Sequence, residues 1–343
     1  MTETTAPPSI ALLLLPESTP ALLYGLQEVF GSVGLAWRDL TGEDTGVTPL
    51  EARIVANEPT GVKTAFGPVI VPDSGLDDFD LIITTDLTLD TSVSPRGRWP
   101  QEAAWLQRQF ERGAMVCSVC TGAVLLAESG LLDGHTATTH WAAARLLRTH
   151  YPDVQVEPAR IIALAGAEQR LITSGGSASW EDLALYLIDR LRGRQEAVRI
   201  AKIFLFGDRS EGQLPFTAAE SPRRHDDALV RELQLWLADN YDRSNPVQEL
   251  TARSGLPPRT LSRRFRAATG YSPIDYVQTL RLEEAKQLLE ATATRLEDIP
   301  AMVGYEDPTH FRRLFKRRTG TTPAQYRRRY SRLFGTPLSD TES

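Results

Sequence analysis

The sequence has only two cysteines, Cys117 and Cys120, in 343 residues, too few for a disulfide-stabilised fold. It also lacks a long apolar stretch near its start, where the longest run is residues 10–15. That run is too short to span a membrane, and without a basic leader or a cleavage site it lacks the pattern of a signal peptide. His, Cys, Asp and Glu do not occur at metal-ligand spacing. We therefore expect a cytoplasmic protein without membrane association, metal or cofactor.

The composition is that of a folded protein, with 41% hydrophobic and 24% charged residues, which argues against a largely disordered chain. At roughly 150 residues per domain, the length predicts two domains. Residues 1–221 carry 17 basic and 28 acidic side chains, a net charge of −11, whereas residues 222–334 carry 21 and 14, a net charge of +7. A basic module on an acidic body indicates that the module binds a polyanion.

Residues 8–206 alternate short apolar runs with segments of helical periodicity. The apolar runs are bounded by turn or breaker residues, which is typical of buried strands. Strands that alternate with helices predict a doubly wound α/β domain of the flavodoxin-like kind, with a mainly parallel sheet covered on both faces. The predicted strands are residues 10–15, 80–84, 114–119 and 170–173, and the predicted helices are residues 101–112, 121–129, 140–149 and 180–192.

A polar segment and an internal repeat follow this domain. Residues 207–227 contain Gly, Pro and Ser without periodicity, so they are predicted to be a linker. Residues 228–332 contain only helical patterns, in which LSRRFRAATGYSPIDY at 261–276 aligns with FRRLFKRRTGTTPAQY at 311–326. Two copies of one unit therefore make up an all-α second domain.

Each copy of the repeat has the layout of a helix-turn-helix: a short helix with an apolar face, a turn containing Gly255 or Gly304, and a second helix rich in arginine. In the second helices Phe265 and Phe315 must face the core, which leaves the polar residues exposed. Arginine pairs with guanine or phosphate, and Thr and His contact bases or backbone. We therefore predict binding to double-stranded DNA, with two solvated helices of a bundle as the alternative. The predicted DNA-binding residues are Arg259, Thr260, Arg263, Arg264, Thr309, His310, Arg312, Arg313 and Lys316.

The second domain resembles the AraC/XylS family of transcription factors over residues 228–330. The most specific stretch is GYEDPTHFRRLFKRRTGTTPAQYRRRY at 304–330, which is similar to the family's signature. The resemblance implies a seven-helix module with two helix-turn-helix motifs. A linker helix over about residues 274–290 would hold the two recognition helices so that they enter successive major grooves on one face of DNA.

Cys120 lies between an apolar strand and a helix in AMVCSVCTGAVLLAESGLL at 114–132. Its sulfur is expected at a helix N-terminus, where the dipole lowers the pKa of a thiol, and Gly122 would allow the sharp turn. His140 and the loop at 174–177 also follow strands, and ligand crevices form at the carboxyl ends of strands in such a sheet. The predicted effector pocket consists of Cys120, Thr121, Gly122, His140, Ser174 and Gly175.

Residues 10–205 resemble the PfpI/ThiJ branch of the class I glutamine-amidotransferase-like fold, in which Cys120 corresponds to the nucleophile-elbow cysteine and His140 to a histidine in a Thr-Thr-His context. The whole chain resembles the GlxA-type AraC regulators, which fuse these two parts in this order. The resemblance implies a transcriptional regulator whose N-terminal domain senses a small nitrogenous effector. It also implies a homodimer that acts with RNA polymerase.

Two departures from the enzymatic branches argue against catalysis. The acidic residue that hydrogen-bonds the cysteine there corresponds to Leu22, which cannot accept a proton. The Gly-Gly pair that supplies oxyanion donors is replaced by Thr85-Asp86-Leu87. The prediction is a sensor without catalytic residues. The alternatives are a cysteine-dependent amidase or hydratase-like enzyme fused to a DNA-binding module, or a thiol-based sensor of oxidants or electrophiles at Cys120.

Simpler roles for the same residues also stay open. Cys120 could be a small buried hydrophobe, and His140 could cap or pack at the start of a helix. A redox pair of Cys117 and Cys120 is disfavoured, because three extended residues span about 10 Å and a disulfide joins Cα atoms no more than about 7 Å apart.

Overall fold

The computed structural model describes residues 7–58, 60–218, 222–223 and 225–331. The chain divides into two units between Gln213 and Leu214, inside the segment predicted to be a linker. Residues 219–221 and 224 of that segment, and residue 332 at the end of the predicted second domain, lie outside the described residues. Each unit has its own hydrophobic clusters.

Six strands form the central sheet of the first unit, in the order β2-β1-β3-β4-β6-β5. All neighbouring strands are parallel except β5 and β6, which are antiparallel. A parallel sheet with one antiparallel edge strand is the doubly wound, flavodoxin-like arrangement that the sequence predicts. The strands are β1 (Ile10–Leu13), β2 (Ala52–Val55), β3 (Leu81–Thr84), β4 (Met115–Val119), β5 (Ile162–Ala165) and β6 (Leu171–Ser174).

Helices cover both faces of this sheet. Successive residues of a strand point to opposite faces, so Leu12 belongs to the cluster under α1, α6 and α7, whereas Leu13 belongs to the cluster under α3, α4 and α5. All six apolar residues from Ile10 to Leu15 are therefore buried. The helices are α1 (Pro20–Ser32), α2 (Ala36–Thr41), α3 (Pro100–Glu111), α4 (Ala123–Glu128), α5 (Ala144–His150), α6 (Trp180–Arg192) and α7 (Arg194–Phe204).

Short elements complete the first unit. Two small two-stranded sheets pair Val62–Lys63 with Val69–Ile70 and Thr136–Ala137 with Gln155–Val156. The helices predicted over residues 121–129 and 140–149 begin as 3-10 turns. Those turns are Cys120–Gly122 and Trp141–Ala143, and further 3-10 turns are Ala167–Gln169, Ser177–Ser179 and, in the second unit, Leu214–Phe216.

The described part of the second unit contains seven α-helices around two hydrophobic clusters. The long helix α11, predicted over about residues 274–290, connects them: Val277 belongs to the first cluster, and Ala285 and Leu289 belong to the second. Across the described residues, no helix has both the length and the apolar character needed to cross a membrane. The helices are α8 (Ala228–Asn240), α9 (Pro246–Ser254), α10 (Pro258–Thr269), α11 (Pro273–Ala291), α12 (Ile299–Met302), α13 (Pro308–Thr319) and α14 (Pro323–Ser331).

Candidate functional site

The two arginine-rich helices α10 and α13 have the same local construction. Each has proline in its first turn, where the missing N–H costs nothing, and each ends at a left-handed glycine, Gly270 or Gly320. In the last turn, the Thr269 hydroxyl donates to the Phe265 carbonyl and the Thr319 hydroxyl to the Phe315 carbonyl, both at 2.8 Å. The sequence repeat is therefore also a structural repeat, with α9–α10 and α12–α13 as its two helix-turn-helix pairs.

Helical spacing separates a buried face from a basic face on both helices. Phe265 and Phe315 are fully buried, and each makes an edge-to-face contact with the tyrosine eleven residues later, at 5.5 and 5.4 Å between ring centroids. All of the predicted DNA-binding residues are exposed except Thr260, which is half-buried. The two helices thus present rows of cationic and hydrogen-bonding side chains to solvent, which is the chemistry needed to contact phosphates and base edges.

The predicted DNA-binding arginines differ in whether their guanidinium groups form ion pairs within the protein. Arg264 forms a bidentate pair with Asp227 at 2.7 and 2.9 Å, and the same carboxylate caps α8 by accepting from the Val230 amide. The Arg264 hydrogen bonds hold the pKa of Asp227 below its usual range. Within the part of the chain that the structure describes, Arg263 and Arg313 have no ion pair. Arg264 therefore connects α10 to the first turn of α8, and its contact with DNA stays a prediction.

Cys120 stands at a strained turn between β4 and α4. Its φ is +56°, in the left-handed region that costs a side-chain residue about 1 kcal/mol or more. Gly122 has an ordinary φ of −56°, so the expectation that its flexibility makes the turn is wrong. A Cβ on Gly122 would lie 2.5 Å from the Thr85 carbonyl oxygen and 2.6 Å from that of Thr84. Glycine is needed here so that the elbow can approach the end of β3.

The Cys120 thiol is buried, with 4% of the residue exposed, and its Sγ lies 3.5 Å from the Ser177 Oγ. Burial raises the pKa of this thiol; the Ser177 hydrogen bond opposes the rise, and the negative charge of Asp86 adds to it. The prediction of a lowered pKa is therefore wrong. The short helix that follows does not outweigh the removal of the thiol from water.

The polar side chains of three other predicted pocket residues form hydrogen bonds within the protein. The Thr121 hydroxyl donates to the Leu87 carbonyl at 2.6 Å, and the Ser174 hydroxyl donates to the Ser118 carbonyl at 3.2 Å. The His140 Nδ1 accepts from the Ala142 amide at 3.1 Å and so caps the 3-10 turn. Burial lowers the pKa of His140, which favours the neutral ring. His140 thus has the capping role that the sequence left open.

Two residues near the elbow were missed by the sequence analysis. Asp86, at the carboxyl end of β3, accepts a hydrogen bond from the Thr19 hydroxyl, and burial raises its pKa. A polar residue two positions after a buried strand was the available signal for it. Gln213 is 2% exposed and packs beside Gly175 and Gly176. No pattern in the polar segment around it marks this glutamine.

Leu22 belongs to the same buried cluster as Cys120, so the position expected to hold an acid is apolar. Cys117 is completely buried in β4, where burial raises the pKa of its thiol, and both cysteines are free. Among the residues that the structure describes, no group of three or more His, Cys, Asp or Glu side chains is placed to hold a metal ion.

Iodoacetamide should modify Cys120 faster than Cys117 in the folded chain, and both more slowly than in the chain unfolded in guanidinium. Cys120 is 4% exposed in the turn after β4, whereas Cys117 is completely buried within β4, and the raised pKa of both thiols keeps them protonated near neutral pH. Both cysteines lie on the tryptic peptide 113–145, so tandem mass spectrometry of that peptide over time locates each modification and measures both rates, with Cys120→Ser as the control for site assignment. Equal rates in the folded chain would contradict this interpretation of the elbow.

Comparisons with known proteins match both units. Residues 92–190 match the DJ-1/PfpI family, and residues 250–329 match a helix-turn-helix domain family. The chain is 31% identical over 231 residues to the HTH-type transcriptional regulator CdhR of Pseudomonas aeruginosa, covering 66% of this chain and 67% of CdhR. It is 29% identical over 226 residues to the HTH-type transcriptional regulator GlxA of Rhizobium meliloti, covering 65% and 68%. It is 26% identical over 269 residues to the HTH-type transcriptional regulator GbdR of Pseudomonas aeruginosa, covering 76% and 70%.

Proposed function

Because the chain belongs to the GlxA-type family of HTH-type transcriptional regulators, in which a DJ-1/PfpI domain precedes an AraC-type helix-turn-helix domain, we propose that it is a sequence-specific, DNA-binding regulator of transcription. The observation that carries the proposal is the pair of exposed basic faces on α10 and α13, held by one long helix. Two such helices fixed to α11 can read two segments of one duplex. Its partners would be double-stranded DNA and RNA polymerase.

Arg263→Ala and Arg312→Ala should each weaken binding to a duplex that the protein has selected from a random pool. A base-contacting arginine contributes about 1–3 kcal/mol at its own position, whereas a phosphate-contacting one weakens all sequences alike. Fluorescence anisotropy on the selected duplex and on single-base variants separates the two cases. Arg295→Ala is the matched control, because its side chain is 79% exposed outside the recognition helices. Full affinity in both recognition-helix variants would remove these residues from the interface.

The DJ-1/PfpI domain is proposed to sense a small molecule at the carboxyl edge of its sheet. The supporting features are the strained elbow at Cys120, with Ser177 and Asp86 beside it, and the Ser174-Gly175-Gly176 loop that follows the adjacent strand. The effector must bind one geometry of the protein more tightly than the other to change DNA binding. A ligand screen by thermal shift tests this, because a ligand that binds only the native state stabilises it by RT ln(1 + [L]/Kd).

We further propose that this site does not turn over amides, isocyanides or α-oxoaldehydes. Leu22 is apolar, the raised pKa of Cys120 leaves little thiolate, and the His140 Nδ1 is engaged by a backbone amide. A nucleophilic cysteine needs an activating base or a lowered pKa. Multiple turnovers that disappear in Cys120→Ser would refute this part of the proposal.

A homodimer is also proposed. The hairpin between Val62–Lys63 and Val69–Ile70 supports it by exposing three large apolar residues, Phe66, Val69 and Val71, at 70, 63 and 67%. Apolar residues grouped at a surface mark interaction sites more often than isolated ones do. Sedimentation velocity on the full chain tests this part of the proposal.

A further inference from the structure

The buried side chain of Gln213 occupies a closed niche in the first unit. Its Nε2 donates to the Thr139 carbonyl at 2.8 Å and to the Arg160 carbonyl at 3.0 Å, and its Oε1 accepts from the Trp141 amide at 3.2 Å. The Nε2 also donates to the Thr138 hydroxyl oxygen at 3.3 Å, so three acceptors and one N–H donor surround one primary carboxamide. Only 2% of the residue is exposed, so these contacts replace water almost completely.

Glycines give the niche its shape. A Cβ on Gly175 would lie 2.3 Å from the Gln213 Nε2, so a side chain there would displace the amide. Gly212 has a φ of +75°, and its Cβ would lie 2.3 Å from the Ala159 carbonyl oxygen. The same Ala159 carbonyl accepts a hydrogen bond from the backbone N–H of Gln213 at 2.9 Å. At Gly175 and at Gly212 the backbone therefore lies so close to its neighbours that only glycine fits.

The niche adjoins the elbow of Cys120. Thr139 connects the two: its hydroxyl donates to the Cys120 carbonyl at 2.9 Å, and its own backbone carbonyl accepts from the Gln213 Nε2. A Cβ on Gly176 would lie 3.6 Å from the Gln213 Oε1 and 3.8 Å from a ring carbon of His140. The amide therefore lies against Gly175 and is connected to the backbone of Cys120 through Thr139, and Gly176 lies between the amide and the His140 ring.

The donors and acceptors of the niche select among ligands. A carboxylate would place its oxygens against two carbonyl oxygens, and an apolar group would leave these backbone groups buried without partners. A primary amide satisfies both carbonyl oxygens and the Trp141 N–H, as Gln213 does. A buried hydrogen-bonding site of this kind discriminates strongly against analogues that lack the matching group.

We propose that Gln213 is an internal ligand, a tethered primary amide that occupies part of the effector site until a small effector carrying a primary amide displaces it. This inference rests on the proposed function, because it names the ligand class of the sensing domain. The next residues belong to the second unit, in which the Pro215 carbonyl accepts from Tyr330 and the Thr217 carbonyl from Lys286, both at 2.8 Å. Release of Gln213 therefore frees the segment of chain that leads into the DNA-binding domain.

Propionamide, the amide end of a glutamine side chain, is the probe for the niche. In the full chain, Gln213→Ala should bind propionamide at least about tenfold more tightly than the natural sequence does, because an internal competitor lowers the apparent affinity of an added ligand. Ligand-observed NMR titration measures both affinities. The matched control is Gln195→Ala, an exposed glutamine on α7, which should leave the affinity unchanged. In Gln213→Ala, the added change Gly175→Ala should abolish binding by filling the niche.

The rate of trypsin cleavage after Arg209 measures release of the chain around Gln213, independently of the propionamide titration. Arg209 is held by Glu181 at 2.6 Å and Asp182 at 3.2 Å, four residues before Gln213. Gln213→Glu, which places a carboxylate against two carbonyls, should accelerate this cleavage severalfold, and saturating propionamide should do the same in the natural sequence. A melting temperature close to that of the control confirms that the variants are folded.

The outcomes separate this inference from the proposed function. Equal propionamide affinity in Gln213→Ala and the natural sequence, or cleavage after Arg209 that ignores both Gln213→Glu and propionamide, overturns the internal-ligand proposal even if DNA binding is normal. Failure of the natural sequence to select any duplex overturns the proposed function, whereas the propionamide and trypsin measurements still decide the role of Gln213.

Discussion

Raising the salt concentration from 50 to 200 mM should weaken the binding of the full chain to its selected DNA site about 10³-fold. Each phosphate neutralised by a cation releases counterions, and six contacts give a slope of about −5 in a plot of log affinity against log salt. The second unit can supply six without Arg264: Arg259, Arg263, Arg312, Arg313, Lys316 and Arg317 are all exposed on α10 and α13.

The net charge of the whole chain would by itself predict the opposite salt dependence. The full chain carries −6, so a protein that met DNA through its average surface would be repelled, and added salt would strengthen its binding. A steep loss of affinity with salt therefore requires a local basic face. Lys316→Ala should reduce the slope by about 1, whereas Arg295→Ala should leave it unchanged. A flat salt dependence would contradict the assignment of α10 and α13 as the DNA-binding helices.

The sequence predicts those parts of the fold that depend on residues close together in the chain. The run from Ile10 to Leu15 is apolar at every position because both faces of β1 are covered, and this pattern identified the strand. The helix predicted over residues 180–192 has the same bounds as α6. Strand β2 was missed because it lies at the edge of the sheet, where Arg53 is exposed and interrupts the apolar run. Strand β5 was missed as well, and its reversed direction has no local signal.

The candidate pocket was less predictable because its properties arise from contacts that are distant in sequence. Cys120 was predicted to be reactive because it follows a strand. The pKa of its thiol, however, depends on burial and on Asp86, which lies 34 residues earlier. Gln213 reaches Thr139 across 74 residues. Neither long-range contact could be obtained from periodicity or motif spacing, whereas the faces of α10 and α13 could, because helical geometry alone determines them.

Phe265→Ala and Phe315→Ala should each lower the free energy of unfolding of the DNA-binding domain by about 3–5 kcal/mol, because each removes a large side chain from a close-packed cluster. Phe265 packs with helices α8, α9 and α11, whereas Phe315 packs with α11, α12 and α14, in separate clusters. Denaturant unfolding of the full chain measures the loss. Arg266→Ala and Lys316→Ala are matched controls one residue further along the same helices, and exposed substitutions of this kind cost within about 0.5 kcal/mol.

The separation of the two clusters makes the effects on hydrogen exchange distinct. Phe315→Ala should increase amide exchange first in α12, α13 and α14, and Phe265→Ala should do so in α8, α9 and α10, with α11 affected by both because it contributes Val277 to one cluster and Leu289 to the other. Each variant should lose DNA affinity through unfolding of one reading helix, even though neither phenylalanine can touch DNA. Unfolding energies equal to those of the control variants would mean that the aromatic residues do not anchor the recognition helices, and the faces assigned to α10 and α13 would then have to be exchanged.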